Sequence, residues 1–336
     1  MDVKINTCLV GLGRAGHFHL HSIKHSAHYK LSYIVDPNIG ETDVPEGCTL
    51  LTDIDKALKD DSLDAVIVAS PTKSHFGYIK RSLEAGKHVF TEKPLGHKVD
   101  EINDCFDLAQ KSGLALHLGF QRRYDHNFIA LKEKIPSLGS VRMIKASSRD
   151  NPKPSLDYLK ISGNIFHDML IHDFDMLVFL LGPRVPKTVY ATGYSYDPKI
   201  ANIPDFDTVL VILSYAEGLM VSIDTSRTSP YGYDQRIEVF GADAMAMVEN
   251  EADHGVKVYN ESGMSGATIN YSFPQRYKLA YGKELEQFAI NLYEQKPHNV
   301  TREECLLAYL IADAAHESAV VGKAVDFKDG YAGQMN

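Results

Sequence analysis

The feature that most constrains this chain is a rhythm in its first third. Apolar, β-branched runs, "INTCLVG", "YKLSYIVD", "DAVIVAS", "HVFTEKP" and "LALHLGF", are separated by helix-like stretches over 15–26, 53–60, 74–86 and 99–112. A strand that is apolar throughout, not at every second residue, is covered on both faces, and a helix between consecutive strands lets them run parallel. The pattern therefore predicts a doubly wound α/β layer with a parallel sheet, ending near residue 122.

Beyond 122 the rhythm changes. A helical stretch near 124–134, the strand "VRMIKASS" and a helix over 163–181 are followed by "KTVYATGYSY", "FDTVLVILSY", "LMVSIDTSR" and "QRIEVFGADAMAMVEN" with only short breaks. Strands that follow one another without helices predict a largely antiparallel, open-faced sheet flanked by helices, an α+β unit. Two helices, 280–294 and 301–319, close the chain. With 336 residues the expectation is two domains, 1–122 and 123–336, the last helices being free to pack back on the first.

Composition narrows the function. Apolar residues make up 44% and charged ones 24%, a globular balance. The formal charge of -9 comes without runs of like charge, which argues against nucleic acid. Cys8, Cys48, Cys105 and Cys305 form no CxxC pair and read as reduced thiols of a cytoplasmic protein. No export signal or membrane span is visible.

"GLGRAG", comprising Gly11, Leu12, Gly13, Arg14, Ala15 and Gly16, follows a strand and opens a helix. Gly11 makes the tight turn, Gly13 lets a pyrophosphate approach the backbone, and Gly16 lets helix pack on strand, the signature of a dinucleotide-binding Rossmann unit. Asp36, twenty positions beyond Gly16, is placed to accept from the adenosine ribose hydroxyls and to repel a 2′-phosphate, so NAD is favoured over NADP. His17, His21, His25 and His28 lie near helical spacing but have no carboxylate or thiol beside them. They read as a solvated face, and no metal is expected.

The stretch "GNIFHDMLIHDFDM" sets Asp168 four positions before His172. On a helix over 165–178 these share a face, so the carboxylate can fix the imidazole tautomer and leave the other nitrogen as a base. His167 and His172, five apart, lie about 140° apart on the axis and cannot make a zinc-protease pair. Lys93 follows the strand "HVF" at the carboxyl edge of the parallel sheet, where ligands of such sheets bind. A lysine there can donate to a substrate hydroxyl and steady an alkoxide.

"GLGRAG", "ASPTKSH", "AGKHVFTEKPLG", "GFQRRYD" and "GNIFHDMLIHDFDM", in this order over most of residues 5–245, resemble the Gfo/Idh/MocA family of NAD(P)-dependent sugar and polyol oxidoreductases. "SSRDNPKP" and "YGYDQRIEVFG" are most similar to its inositol 2-dehydrogenase branch, which oxidises myo-inositol to 2-keto-myo-inositol with NAD. The resemblance implies that Lys93 orients substrate, Asp168 is its partner and His172 is the general base. It implies that Ser70, Pro71, Thr72 and His75 run along the dinucleotide, that Glu92 and Lys93 lie beneath the nicotinamide, and that Gln121 and Arg122 border the ring and substrate. Asp150, Asn151, Tyr231 and Tyr233 are implied hydroxyl contacts. A six-stranded, mostly antiparallel second sheet is implied as the face of a homo-oligomer, dimer or tetramer. The chain departs from the common pattern at Asn164 and His167. Residues 246–275 carry no usable signature.

The expected activity is thus NAD-dependent oxidation of a secondary ring hydroxyl. Another inositol isomer, a sugar or an anhydrosugar is the alternative substrate, and an NAD-sensing regulator the alternative outside enzymes.

Overall fold

The computed structural model describes residues 4–38, 44–296 and 299–335. Two compact units are present, one made of residues 1–124 and 279–306, the other of 125–278 and 307–336.

The first unit is built on strands β1 (Ile5–Val10), β2 (Tyr29–Val35), β3 (Thr49–Leu51), β4 (Ala65–Val68), β5 (His88–Glu92) and β6 (Leu116–Gly119). They lie in the order β3-β2-β1-β4-β5-β6, and every pair is parallel. This is the dinucleotide-fold order, with its crossover reversing beside β1. All six residues of β1 and all four of β4 are buried, as a sheet covered on both faces requires.

Helix Arg14–His25 buries Gly16, His19, Leu20 and Ile23, an i, i+3, i+4, i+7 stripe, against the sheet. Helix Val99–Ser112 ends at Gly113, whose φ of 65° is the left-handed cap conformation glycine adopts without strain. A later helix, Lys278–Tyr293, adds Leu285, Phe288 and Ala289 to the core cluster that holds Ile5, Leu9, Ile34 and Phe90. Tyr29 Oη donates to the Leu285 carbonyl at 2.5 Å.

The second unit has a sheet of β7 (Val141–Arg149), β8 (Thr188–Tyr194), β9 (Thr208–Ser214), β10 (Met220–Ser226), β11 (Asp234–Gly241) and β12 (Met245–Val248), with an exposed hairpin of β13 (Lys257–Asn260) and β14 (Gly263–Gly266), and β15 (Val325–Asp326). The order is β12-β11-β7-β10-β9-β8-β15. The sheet has seven strands where the resemblance implied six, because the two-residue β15 pairs with the edge of β8. It is antiparallel except for β7 and β10.

That one parallel pair sets two strand ends side by side, Arg149 in register with Ser226. One face of the sheet carries Ile144, Val189, Val211, Ile223 and Val239, all buried; the other leaves Tyr190, Ile212, Met220, Phe240, Met245 and Met247 exposed. No helix among the described residues is long and apolar enough to cross a membrane.

Candidate active site

In the first unit the expected residues gather at the carboxyl ends of the parallel strands. The three glycines do three different things. A Cβ at Gly11, whose φ is +94°, would meet the Ala69 carbonyl oxygen at 2.7 Å, and one at Gly16 would meet the Gly11 oxygen at 2.0 Å. A Cβ at Gly13 would meet nothing within 4 Å. The first two positions need glycine for packing within the protein, whereas Gly13 leaves open space beside the loop.

Helix Arg14–His25 starts at Gly13 with no side-chain cap and no acid in its first turn, so its positive end stays available to an anion. Asp36, just past β2, accepts from the Leu12 amide at 2.7 Å and the Asn38 amide at 2.8 Å. It therefore closes its own turn and is also clamped against the glycine loop. Gln121, 2% exposed, has an Oε1 with no hydrogen-bond partner among the described residues, an acceptor of the kind a ligand donor satisfies. These observations fit a dinucleotide.

Ser70, Pro71 and Thr72 follow β4, with Ser70 Oγ 2.8 Å from Ser74 Oγ. His75 is buried, with Nδ1 2.8 Å from the Pro94 carbonyl and Nε2 2.7 Å from the Ser70 carbonyl. Its ring bridges the loop after β4 to the turn after β5, and burial pushes its pKa down. Lys93 stands half-buried just beyond β5, before the cis Lys93–Pro94 bond.

Glu92, at the end of β5, is bound by a residue the sequence reading missed. His19 Nε2 lies 2.7 Å from Glu92 Oε1, the side chains being 0% and 10% exposed. Burial pushes the Glu92 carboxyl up, but the hydrogen bond from His19, with the charge of Lys93, outweighs it and holds the group below the usual range. Gly119 on β6 makes room, since a Cβ there would sit 3.2 Å from Glu92 Cα. The signal for His19 was its place on the apolar stripe, away from the exposed His17, His21 and His25.

In the second unit the segment that carries Asp168 and His172 is not a uniform α-helix. Phe166–Leu170 is a π-helical turn, and the α-helix runs over Ile171–Leu181. The wider turn corrects the expectation of an even 100° per residue over 165–178, because Asp168 and His172 fall on either side of the junction. Asn164 Oδ1 accepts from the amides of Phe166 and His167 at 3.0 and 3.1 Å, and Ile165 N donates to Asp205 Oδ1 at 2.8 Å.

Asp168 is buried in a network that the sequence did not reveal. Tyr158 Oη donates to Asp168 Oδ1 at 2.6 Å, Arg227 Nη1 to Asp168 Oδ2 at 3.0 Å, and Arg227 Nη2 to Asp205 Oδ2 at 2.8 Å. Arg227 is 1% exposed. Burial, then the negative charge of Asp168, pushes the Tyr158 phenol well up. A phenol and a guanidinium both donate to an ionised carboxylate, which fixes the orientation of Asp168. Arg227 was legible by parity, since Val221, Ile223 and Thr225 on β10 all face inward and it stands two residues further on. His172 lies half-buried in the first turn of the α-helix.

The residues expected to contact hydroxyls have separate surroundings. Asp150 follows β7 and its amide donates to the Ser226 carbonyl, while Asn151 Nδ2 donates to the Tyr271 carbonyl at 2.8 Å. Tyr231 Oη donates to Asp234 Oδ2 at 2.6 Å and accepts from Arg149 Nη1 at 2.7 Å. Tyr233 is buried with its ring against Phe273 and Tyr277. Arg122 is 2% exposed in the turn after β6. The two departures, Asn164 and His167, bind one another, His167 Nδ1 lying 3.0 Å from Asn164 Oδ1 and its Nε2 2.9 Å from Asp313 Oδ1. Among the described residues no group of three or more His, Cys, Asp or Glu is arranged to hold a metal ion.

Comparison with known proteins agrees with these features. Residues 5–120 match the model of an oxidoreductase family with an NAD-binding Rossmann fold, and residues 130–247 match the GFO/IDH/MocA C-terminal domain. The myo-inositol 2-dehydrogenase of Thermotoga maritima is 33% identical over 96% of this chain and 98% of its own length. The crystal structure of a probable dehydrogenase from Thermotoga maritima superposes with a TM-score of 0.90 at 34% identity, covering 96% of this chain and 99% of that one. A scyllo-inositol dehydrogenase from Lactobacillus casei with bound NAD(H) and scyllo-inositol has a TM-score of 0.88 at 25% identity, covering 97% and 100%.

Proposed function

The chain belongs to the Gfo/Idh/MocA family of NAD-binding oxidoreductases, and from that premise we propose that it oxidises a secondary hydroxyl of a cyclic polyol, myo-inositol to 2-keto-myo-inositol. The observation that carries this reading is the Asp168 carboxylate, held between Tyr158 and Arg227 and set four residues before His172. NAD, once bound, supplies the hydride acceptor. Lys93 donates to the substrate oxygen and steadies the charge that builds on it. His172 takes the hydroxyl proton and Asp168 fixes the imidazole for that task. Arg122, Asp150, Asn151, Tyr231 and Tyr233 are the proposed hydroxyl contacts, Tyr233 by shaping the wall and not with an open phenol. Gly11 to Gly16, Asp36, Ser70, Pro71, Thr72 and Gln121 bind the cofactor, and His75 holds its two loops together.

The test is a cofactor-reduction assay at 340 nm with a panel of myo-inositol, scyllo-inositol, glucose and an anhydrosugar, run with NAD and with NADP. NAD reduction by myo-inositol is expected, and replacing His172 with Ala lowers kcat by ~10² to 10⁴. A wild-type rate in that variant removes His172 from the mechanism. Faster turnover of scyllo-inositol would make the chain a dehydrogenase of that isomer, a reading favoured by the scyllo-inositol-bound relative. Tight NAD binding with no turnover of any polyol would favour a sensor.

We further propose a homo-oligomer formed through the exposed face of the second sheet. The register sets Tyr190 beside Ile212 and Met220 beside Met143, with Phe240 next to Met143 and Met245. A contiguous apolar surface of this kind is where subunits associate. The four free cysteines are in keeping with a cytoplasmic location.

A further inference from the structure

The buried pair of His19 and Glu92 has no part in the roles assigned above to Lys93, Asp168 and His172. His19 Nε2 meets Glu92 Oε1 at 2.7 Å. The ring is packed edge-on against Phe90 and Tyr281, with centroids 5.1 and 6.0 Å away. Its Nδ1 is buried with no hydrogen-bond partner among the described residues.

A proton on Nδ1 would be a buried donor with nothing to accept it, whereas a bare lone pair between aromatic rings is tolerated more easily. The tautomer that suits the pocket carries its proton on Nε2 and donates it to Glu92. The neutral imidazole then leaves the negative charge of the carboxylate in place. Charged or titratable groups beside it include Lys93, next in the chain, His75, held between two carbonyls, and Tyr281 against the imidazole.

The order of the strands says which end of the cofactor this charge meets. Asp36 follows β2, the glycine loop follows β1, and Glu92 ends β5; β2, β1, β4 and β5 are consecutive neighbours. At about 4.8 Å per strand, β2 and β5 are roughly 14 Å apart, comparable to an extended dinucleotide. With the adenosine ribose at Asp36 and the pyrophosphate at the glycine loop, the nicotinamide half falls at the carboxyl end of β4 and β5. Oxidised nicotinamide carries a positive charge that is lost on reduction.

We infer that His19 is a positioning residue that holds the Glu92 carboxylate ionised at the nicotinamide end of the groove, so that the site favours the cationic oxidised dinucleotide over the reduced one. This rests on the NAD assignment and not on which polyol is turned over. It also gives Tyr281, from a helix far along the chain, a task in holding the imidazole.

Isothermal titration calorimetry of the whole protein with NAD+ and with NADH tests it without turnover. Glu92→Gln keeps an oxygen to accept from His19 but removes the charge; it is expected to weaken NAD+ about tenfold while NADH changes less than about twofold. His19→Leu removes the donor and should move the ratio in the same direction, and His19→Gln, which retains an N–H of similar reach, should restore it. If His19→Leu does not fold, Glu92→Gln and His19→Gln decide the matter. Equal weakening of both dinucleotides, or an unchanged ratio in Glu92→Gln, would overturn the inference while leaving the cofactor assignment intact. Failure of the wild type to bind either dinucleotide would sink both.

Discussion

Single side chains in this protein are fixed by groups far away in sequence, and that decides which of them could be read in advance. Asp36 stood out as a candidate because the job proposed for it depends on spacing from the glycine loop, which the sequence displays. Its contact with the Leu12 amide, 2.7 Å long, ties the carboxylate to that loop. Asp36→Ser removes both the proposed ribose acceptor and the charge proposed to repel a 2′-phosphate. The expected outcome is a shift of the NADP to NAD affinity ratio by at least ~10-fold toward NADP, since like charges brought together cost several kcal/mol. Calorimetry with the two cofactors measures it, and an unmoved ratio would mean that discrimination lies elsewhere. Arg227 and His19 were overlooked for a different reason. Each sits at an inward position of an otherwise apolar pattern, and the eye passes over a charged residue there. Their partners, Asp168 and Asp205 for one and Glu92 for the other, lie on other elements, so pairing could be suspected but not assigned.

At the scale of elements, the alternation of apolar runs and helices was enough to give the parallel sheet, because burial on both faces leaves a continuous signature in sequence. The π-turn at Phe166–Leu170 was not legible. A shift of the hydrogen-bond partner by one residue leaves the apolar pattern of the segment unaltered. The glycine loop offers a contrast that two variants expose. Gly16→Ala puts a Cβ 2.0 Å from the Gly11 oxygen, so helix and strand must part; a loss of about 1–3 kcal/mol in stability is expected, visible as a lower melting temperature. Gly13→Ala meets no protein atom within 4 Å and should leave the melting temperature nearly unchanged while weakening NAD. A Gly13→Ala protein that binds NAD as well as the wild type would show that the pyrophosphate does not pass over this loop.

For the whole molecule, the second sheet keeps one face buried and the other apolar but exposed; burial alternates along β8, β9 and β11, but "TVLVILS" of β9 is apolar on both faces, so the sequence did not mark this division. What a sequence pattern does not state is the order of strands, and the parallel contact of β7 with β10 has no local mark. Ile212, 43% exposed near the middle of this face, is a suitable probe. Ile212→Arg places an uncompensated charge in any interface formed there and should reduce the mass seen by sedimentation velocity to that of a smaller species, with the monomer's melting behaviour little affected. An unchanged sedimentation coefficient would place the subunit contact on another surface.

The helix Lys278–Tyr293 has a consequence for how the chain is made. Leu285, Phe288 and Ala289 belong to the same cluster as Ile5 and Leu9, so a ribosome must make the chain as far as Ala289 before the earliest part of the core has its last contributors. Until then the nascent amino-terminal sheet carries an uncovered apolar flank, which leaves it prone to aggregate. A gene cut after residue 124 would encode a fragment permanently in that condition.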